Sequence, residues 1–175
     1  MNRKITGDTG KGDPGTEVEI PEGSDPAADS PTFYVGIGAS AGGLEAIDAF
    51  FRHLPPDTGL AFIVIQHLSP DYKSLMVELL SKKTAMQVHK AEEGVRVKAN
   101  RVYLIPPKKI LTIGNGRLQL KGKKMGPGLQ LPIDIFLRSL ARDQGERAVA
   151  VILSGTGSDG ARGVCAVMEH GGMVM

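Results

Sequence analysis

Several common sources of structure and chemistry are missing from this sequence of 175 residues. It has a single cysteine, Cys165, so no disulfide can form within the chain, and because that cysteine lies in an apolar helical stretch we expect a buried thiol. The four histidines are scattered and lack the spacing of a Cys/His metal site. No apolar run approaches the length of a membrane span, and the N-terminus lacks the apolar region of a signal peptide. These absences predict a protein of the reducing cytoplasm that is not inserted in a membrane.

Charge is unevenly distributed along the chain. Residues 1–31 contain almost no large apolar side chain and carry seven acidic and three basic residues, which leaves eighteen basic and twelve acidic residues, a net charge of +6, for the remainder. This composition predicts a disordered tail over residues 1–31 and one folded domain over residues 32–175. No basic run is interleaved with aromatic residues, so we do not expect a nucleic-acid partner.

Apolar strand patterns alternate with amphipathic helical ones from Pro31 onward, which predicts an α/β fold with a doubly wound, mainly parallel sheet. Between about residues 85 and 120 the pattern changes to short alternating strands, including a hairpin around Asn115-Gly116, and predicts a small antiparallel insertion. A helix is predicted over Val164 to Glu169. Met173 to Met175 resembles the opening of another strand, so the last elements look truncated.

The stretch Phe33 to Gly43, FYVGIGASAGG, has the pattern of a strand that stops at glycines, a tight turn and the start of a helix. Three interpretations fit it. Gly36, Gly38 and Ala41 match the G-x-G-x-x-G/A dinucleotide fingerprint. Gly38, Ser40 and Gly42 match G-x-S-x-G, a sharp turn that exposes a nucleophilic serine. The glycines could also serve only to pack a helix against the strand.

A matched set of side chains follows three of the predicted parallel strands: Ser40, His67 and Asp159. Because the carboxyl ends of parallel strands share one edge of the sheet, we expect the three to meet there, where they would supply a nucleophile, its base and the acid that orients the base. Each has a plainer interpretation: Ser40 as a helix N-cap, His67 as a structural histidine, and Asp159 as the N-cap of the final helix.

Two related folds fit the order of these residues poorly. A dinucleotide-binding fold would have an acidic residue about 20 residues after the glycines, where Gln66 and His67 stand. An α/β-hydrolase would have its triad in the order Ser, Asp, His, whereas this chain has Ser, His, Asp.

Three blocks, GIGASAGG, IQHLSP and ILSGTGSDGARG, together resemble the chemotaxis receptor protein-glutamate methylesterase family. The resemblance covers about Thr32 to Met175 and implies Ser40 as nucleophile, His67 as general base and then acid, and Asp159 as the residue that orients His67. The backbone N–H groups of Ala41 and Thr156 would then stabilise the oxyanion. No cofactor and no metal is implied.

The resemblance also implies a substrate and partners. Family members remove methyl groups from glutamyl γ-methyl esters on the cytoplasmic helices of chemoreceptors and deamidate certain receptor glutamines, as part of signal adaptation. LPID followed by FLRSLA looks like the form found in proteins that fuse this domain to a receptor methyltransferase. Two hypotheses follow: an esterase that releases methanol, and a catalytically silent module that binds a receptor or regulates a fused methyltransferase.

Overall fold

The computed structural model describes residues 29–40, 43–66, 76–122, 130–154 and 157–175. Within them lie eight strands and four α-helices. The strands are β1 Tyr34–Ala39, β2 Ala61–Gln66, β3 Gln87–Lys90, β4 Arg101–Leu104, β5 Lys109–Gly114, β6 Arg117–Gly122, β7 Ala148–Ser154 and β8 Met173–Val174. The helices are α1 Leu44–Arg52, α2 Met76–Ser81, α3 Pro132–Gln144 and α4 Ala161–Glu169.

Six of the strands form one parallel sheet in the order β3-β4-β2-β1-β7-β8. The predicted α/β fold with a mainly parallel sheet is therefore confirmed. β1 stands at the centre: β2, β4 and β3 lie on one side of it, and β7 and β8 on the other. In such a sheet the crevice for ligands opens at the carboxyl ends of the strands where the order reverses. Here that point is the end of β1.

Both faces of the sheet are covered, because every residue of β1 and β2 is buried. Alternate side chains serve two separate cores, as the two-residue period of a strand requires. Ile63 and Ile65 of β2 join the core under α3, which also contains Phe136 and Leu137. Phe62 and Val64 of the same strand join the core under α1 and α2 on the opposite face, which also contains Ile47, Phe51 and Leu80. The sheet is thus doubly wound.

β5 and β6 form the predicted hairpin, which is antiparallel and separate from the main sheet. Asn115 and Gly116 form its turn with φ of 53° and 67°, the left-handed conformation that two-residue hairpin turns require. The Asp143 carboxylate of α3 accepts hydrogen bonds from both turn N–H groups, at 2.5 and 3.0 Å. These bonds fix the hairpin against α3.

Four local predictions were wrong. β3 and β4 belong to the parallel sheet and not to an antiparallel insertion, because β4 pairs with β2 as a buried neighbour. The first strand continues through its glycines to Ala39. The last helix begins at Ala161, before Val164. Cys165 is exposed, because it lies on the side of α4 that faces away from the core residues Gly163 and Val167. Met173–Val174 forms a strand as predicted, and it pairs with β7.

The chain is described from Asp29 onward, and the rest of the predicted tail lies outside the described residues. The Asp29 carbonyl accepts a hydrogen bond from the Ala99 N–H at 2.9 Å, and the Lys98 Nζ lies 2.5 Å from the Asp29 carboxylate. The hydrogen bond and the charge of Lys98 hold the pKa of Asp29 below its ordinary value. Among the described helices, none combines the length and the apolar character needed to cross a bilayer.

Candidate active site

Ser40 follows the last residue of the central strand and precedes a tight turn into α1. The Ser40 carbonyl accepts a hydrogen bond from the Gly43 N–H at 2.9 Å. The turn is so close that a Cβ on Gly43 would lie 2.6 Å from the Ala39 Cβ. The N-cap residue of α1 is Gly43 and not Ser40. The interpretation of Ser40 as a helix N-cap is therefore wrong, and its half-buried side chain stands at the carboxyl edge of the sheet.

The glycines before Ser40 serve packing. Gly36 and Gly38 lie within β1 and face α3, where a Cβ on Gly36 would meet Leu137 at 2.7 Å and one on Gly38 would meet Ile133 at 2.6 Å. A dinucleotide fingerprint needs its glycines in the turn after the strand, at the pyrophosphate. For Gly36 and Gly38, the interpretation that glycines allow a helix to pack against the strand is therefore the one that the structure supports. Ser40 remains the residue of this stretch whose side chain could take part in a reaction.

The sheet register sets what lies beside Ser40. Ala39 is paired with Gln66 of β2 on one side and with Ser154 of β7 on the other, with a register shift between Gly38 and Ala39. The chain therefore leaves β2 and β7 at the edge where Ser40 stands. His67 and Thr156 come after these two strand ends and Ala41 comes after Ser40; all three lie outside the described residues, and their roles stay predictions.

Asp159 is held at the N-terminus of α3. Its two carboxylate oxygens accept hydrogen bonds from the backbone N–H groups of Ile133, at 3.2 Å, and of Asp134, at 2.9 Å. These N–H groups are free in the first turn of a helix, and Pro132 precedes them at the first position. Asp159 thus caps a helix, though not the final helix that the sequence suggested.

The final helix, α4, is capped by Asp134. Its Oδ1 accepts hydrogen bonds from the backbone N–H groups of Gly160, at 3.0 Å, and of Gly163, at 2.7 Å. The two aspartates therefore cap each other's helices, and the Asp134 side chain is buried, with 5% of its surface exposed. The sequence offered a signal for Asp134, since it follows Pro132 at a helix opening, but the residue was not recognised as part of the site.

A chain of contacts connects Asp159 to the central strand. The Ile133 N–H donates to its carboxylate, and the Ile133 side chain lies against Gly38, two residues before Ser40. A Cβ on Gly160 would meet both Ile133 and Ile152, at 3.1 and 3.0 Å. Ser40 and Asp159 thus stand at the same edge of the sheet.

Gln66 is a second buried polar residue near this edge of the sheet. Only 4% of its surface is exposed, and among the described residues neither its amide nitrogen nor its amide oxygen has a hydrogen-bond partner. In the sequence, Gln66 is recognisable as the one polar residue of the apolar strand β2. No group of three or more potential metal ligands occurs within the part of the chain that the structure describes.

Comparison with known proteins identifies relatives with the same arrangement of elements. The sequence profile of a family described as CheB methylesterase matches residues 35–175. The crystal structure of the Thermotoga maritima CheB methylesterase catalytic domain superposes with a TM-score of 0.72 and 30% sequence identity, covering 81% of this chain and 77% of that one.

Curated relatives include proteins that are named for this activity. A Yersinia pestis protein named protein-glutamate methylesterase/protein-glutamine glutaminase is 35% identical over 141 residues, which is 78% of this chain and 40% of that protein. A Rhodobacter capsulatus protein described as an uncharacterized 104.1 kDa protein in hypE 3'region is 47% identical over 100 residues, 57% of this chain and 10% of that protein. The chain thus spans less than half the length of these relatives.

The profile match extends over most of the chain. The solved catalytic domain has the same fold and also shares 30% sequence identity with this chain. The resemblance that the three sequence blocks suggested is thereby confirmed. The chain belongs to the CheB methylesterase family.

Proposed function

We propose that this chain is a serine hydrolase that removes methyl groups from glutamyl γ-methyl esters of chemoreceptors and releases methanol, with deamidation of receptor glutamines as a second reaction. The names of the curated relatives support both activities. The observation that carries the proposal is the position of Ser40, in a tight turn at the carboxyl end of the central strand, on the edge that also holds Asp159.

The proposed mechanism uses only residues of this chain and water. His67 takes the proton of the Ser40 hydroxyl while Ser40 Oγ attacks the ester carbonyl carbon. The negative charge on the carbonyl oxygen is stabilised by the backbone N–H groups of Ala41 and Thr156. His67 then gives the proton to the departing methoxide, which leaves as methanol. His67 then takes a proton from water, which attacks the acyl-enzyme, and gives this proton to Ser40 Oγ as the bond to it breaks, so that glutamate and the free Ser40 hydroxyl result. With a glutamine substrate the leaving group is ammonia.

Asp159 would orient His67 in this mechanism, and its observed hydrogen bonds are compatible with that role. Each carboxylate oxygen has two lone pairs, and one backbone N–H is bonded to each oxygen. A carboxylate oxygen can accept more than one hydrogen bond, so these two bonds do not prevent Asp159 from accepting one from an imidazole N–H. The same two bonds fix the carboxylate in one orientation, which an orienting residue needs.

The proposal includes the cellular setting. We propose a cytoplasmic protein whose partner is the methylated helical part of a chemoreceptor, with a receptor methyltransferase as a fused or associated partner. Insertion in a membrane and binding of nucleic acid form no part of it.

The test compares the full chain with Ser40→Ala in a methanol-release assay on a methylated chemoreceptor. Loss of the nucleophile is expected to lower the rate by at least about 10³-fold, because the remaining site offers only binding and oxyanion stabilisation. Ser81→Ala is the matched control, since Ser81 is an exposed serine at the end of α2 and should leave the rate unchanged.

Two outcomes would contradict the proposal. The first is the absence of methanol release by the unaltered chain on a receptor that a characterised methylesterase demethylates. The second is full activity of Ser40→Ala, which would assign the nucleophile to another group. Circular dichroism of both variants checks that they are folded.

A further inference from the structure

A groove runs along one face of α3, between strand β5 and helix α4, and encloses about 520 Å³. We call it the α3 groove. The residues of its lining that matter here are Thr112, Gln130, Asp134, Arg138, Arg142 and Arg162. Asp134 connects the groove to the candidate active site, because its backbone N–H is bonded to the Asp159 carboxylate. Asp134 therefore belongs both to the groove and to the group of residues that holds Asp159 in place.

The groove carries a local excess of positive charge. Arg138, Arg142 and Arg162 all have exposed side chains, and no carboxylate of the described residues forms an ion pair with any of them. Asp134, the one acidic residue among the described residues of the lining, already accepts two backbone hydrogen bonds on Oδ1. Three guanidinium groups in one groove thus have five N–H donors each for an anionic partner.

The spacing of the arginines fits a helical partner. Arg138 and Arg142 are four residues apart on α3, which places them on one side of the helix about 6 Å apart along its axis. Arg162 lies on the neighbouring helix and widens the positive surface. Carboxylates one helical turn apart on a partner helix have the same separation. An acidic helix laid along α3 could therefore pair with both arginines of this helix.

Two acceptors in the same groove need donors. Gln130 Oε1 and Asp134 Oδ2 are buried, and among the described residues neither has a hydrogen-bond partner. The backbone N–H groups of a partner helix are occupied, so its side chains must supply the donors, and a glutamine amide supplies two. A phosphate backbone would pair with the arginines but would leave these acceptors without donors.

We propose that the α3 groove docks a helix of the substrate protein that carries both glutamate and glutamine side chains, with the reacting residue placed at Ser40. This inference rests on the proposed function, which supplies a substrate of that chemistry, and adds the surface that binds it. Glutamates one turn apart pair with Arg138 and Arg142, while a glutamine amide bonds to Gln130 and Asp134.

The test measures binding without turnover. Full chains carrying Ser40→Ala are titrated, at low ionic strength, with a fluorescent helical peptide that has glutamates at one-turn spacing and glutamines between them. A second peptide has glutamine in place of every glutamate. Arg138→Gln with Arg142→Gln is expected to weaken binding of the acidic peptide by about tenfold, since two exposed ion pairs are lost.

The matched control removes two positive charges outside the groove, by Lys82→Gln with Arg96→Gln, and is expected to bind the acidic peptide as the parent chain does. Added salt should weaken binding to the parent and control chains more than to the Arg138→Gln, Arg142→Gln chain.

Four results would overturn the inference: no binding of either peptide, equal affinity for both peptides, unchanged binding after loss of Arg138 and Arg142, or tighter binding of a single-stranded oligonucleotide than of the acidic peptide. Methanol release by the unaltered chain is measured separately. Release without groove-dependent binding removes only the docking surface, whereas groove-dependent binding without release removes only the proposed function.

Discussion

Asp159 and Asp134 each cap a helix at the edge of the sheet. Asp159 accepts from the first N–H groups of α3, and Asp134 accepts from those of α4. Each bond satisfies a backbone donor that has no partner within its own helix. The Asp159 carboxylate is therefore held in place by two backbone hydrogen bonds. A carboxylate in this position can be structural and still serve the proposed mechanism.

His89 is a titratable residue outside the candidate site whose environment affects stability. It lies on β3, its ring stacks on Tyr103 with a centroid distance of 5.8 Å, and among the described residues its Nε2 is buried without a partner. Burial, together with the nearby charge of Arg101, lowers the pKa of His89 in the folded protein, while Glu92 acts in the opposite direction. The folded state thus favours the neutral ring.

We expect stability to fall as the pH is lowered through the range where the unfolded chain protonates His89. A lowered pKa in the folded state means that the unfolded state binds this proton more readily, so the stabilising contribution is complete above the ordinary histidine pKa and is lost below it. His89→Phe keeps the stacked ring and removes the titration. Urea unfolding of both chains between about pH 8 and pH 5 tests this, since histidine titrates within that range. Parallel pH dependences for the two chains would contradict it.

Helix α3 packs closely against both strand β1 and helix α4. Glycines let α3 approach both of its neighbours: Gly36 and Gly38 on β1, and Gly163 on α4. A Cβ on Gly163 would lie 2.6 Å from the Leu137 Cβ, an atom that cannot move without the helix. Because α3 and α4 approach so closely, the Asp134 carboxylate of α3 can accept hydrogen bonds from the N-terminus of α4. Asp159, which precedes α4, can in turn reach the N-terminus of α3. These glycines therefore set how closely the elements that carry the candidate site approach one another.

Gly163→Ala is expected to destabilise the protein even though alanine is the better helix former. The substitution gains about 1 kcal/mol of helix propensity. Forcing a methyl group into the contact with Leu137 costs about 1 to 3 kcal/mol, and the absence of any flexible atom to yield favours the upper part of that range. The net loss in the free energy of unfolding is about 1 to 2 kcal/mol, to be measured in urea.

Gly122→Ala is the control for that measurement. Gly122 ends β6, and a Cβ there would meet no atom within 4 Å. Its effect should stay within about 0.5 kcal/mol. An increase in stability for Gly163→Ala would show that α3 and α4 can separate at no cost, against the packing described here.

At the scale of the whole molecule, the short segment before β1 anchors the N-terminal part of the chain. The Asp29 carbonyl bonds to the Ala99 N–H, and the Thr32 N–H bonds to the Gly59 carbonyl, both at 2.9 Å. Pro31 between them is buried. Residues 29–32 therefore contact the folded domain, although their composition resembles that of the tail.

Two truncations test where the folded unit begins. A chain that starts at Asp29 is expected to unfold at the urea concentration of the full chain, because the removed residues have the composition of a disordered tail. A chain that starts at Phe33 loses both backbone hydrogen bonds and should be less stable by about 2 kcal/mol. Equal midpoints for the two truncated chains, or a lower midpoint for the chain that starts at Asp29, would contradict this prediction.

Elements whose patterns are local could be predicted from the sequence. The buried runs of β1, β2 and β7, the Asn115-Gly116 turn and the Pro132 opening of α3 were predicted because hydrophobic period and turn chemistry act within a few residues. The three sequence blocks also identified the family that the profile and the solved structure confirm. Ser40 was singled out on the same local grounds.

Contacts between distant segments determine which strands pair, which helix each aspartate caps and where the arginines lie together. β4 joins β2 in a parallel pair, and Asp134 reaches Gly160 and Gly163 across 26 and 29 positions of sequence. Such contacts depend on how whole elements pack, and a carboxylate has the same local pattern whichever helix it caps. The α3 groove exists only because β5, α3 and α4 meet, so no segment of the chain carries a signal for it.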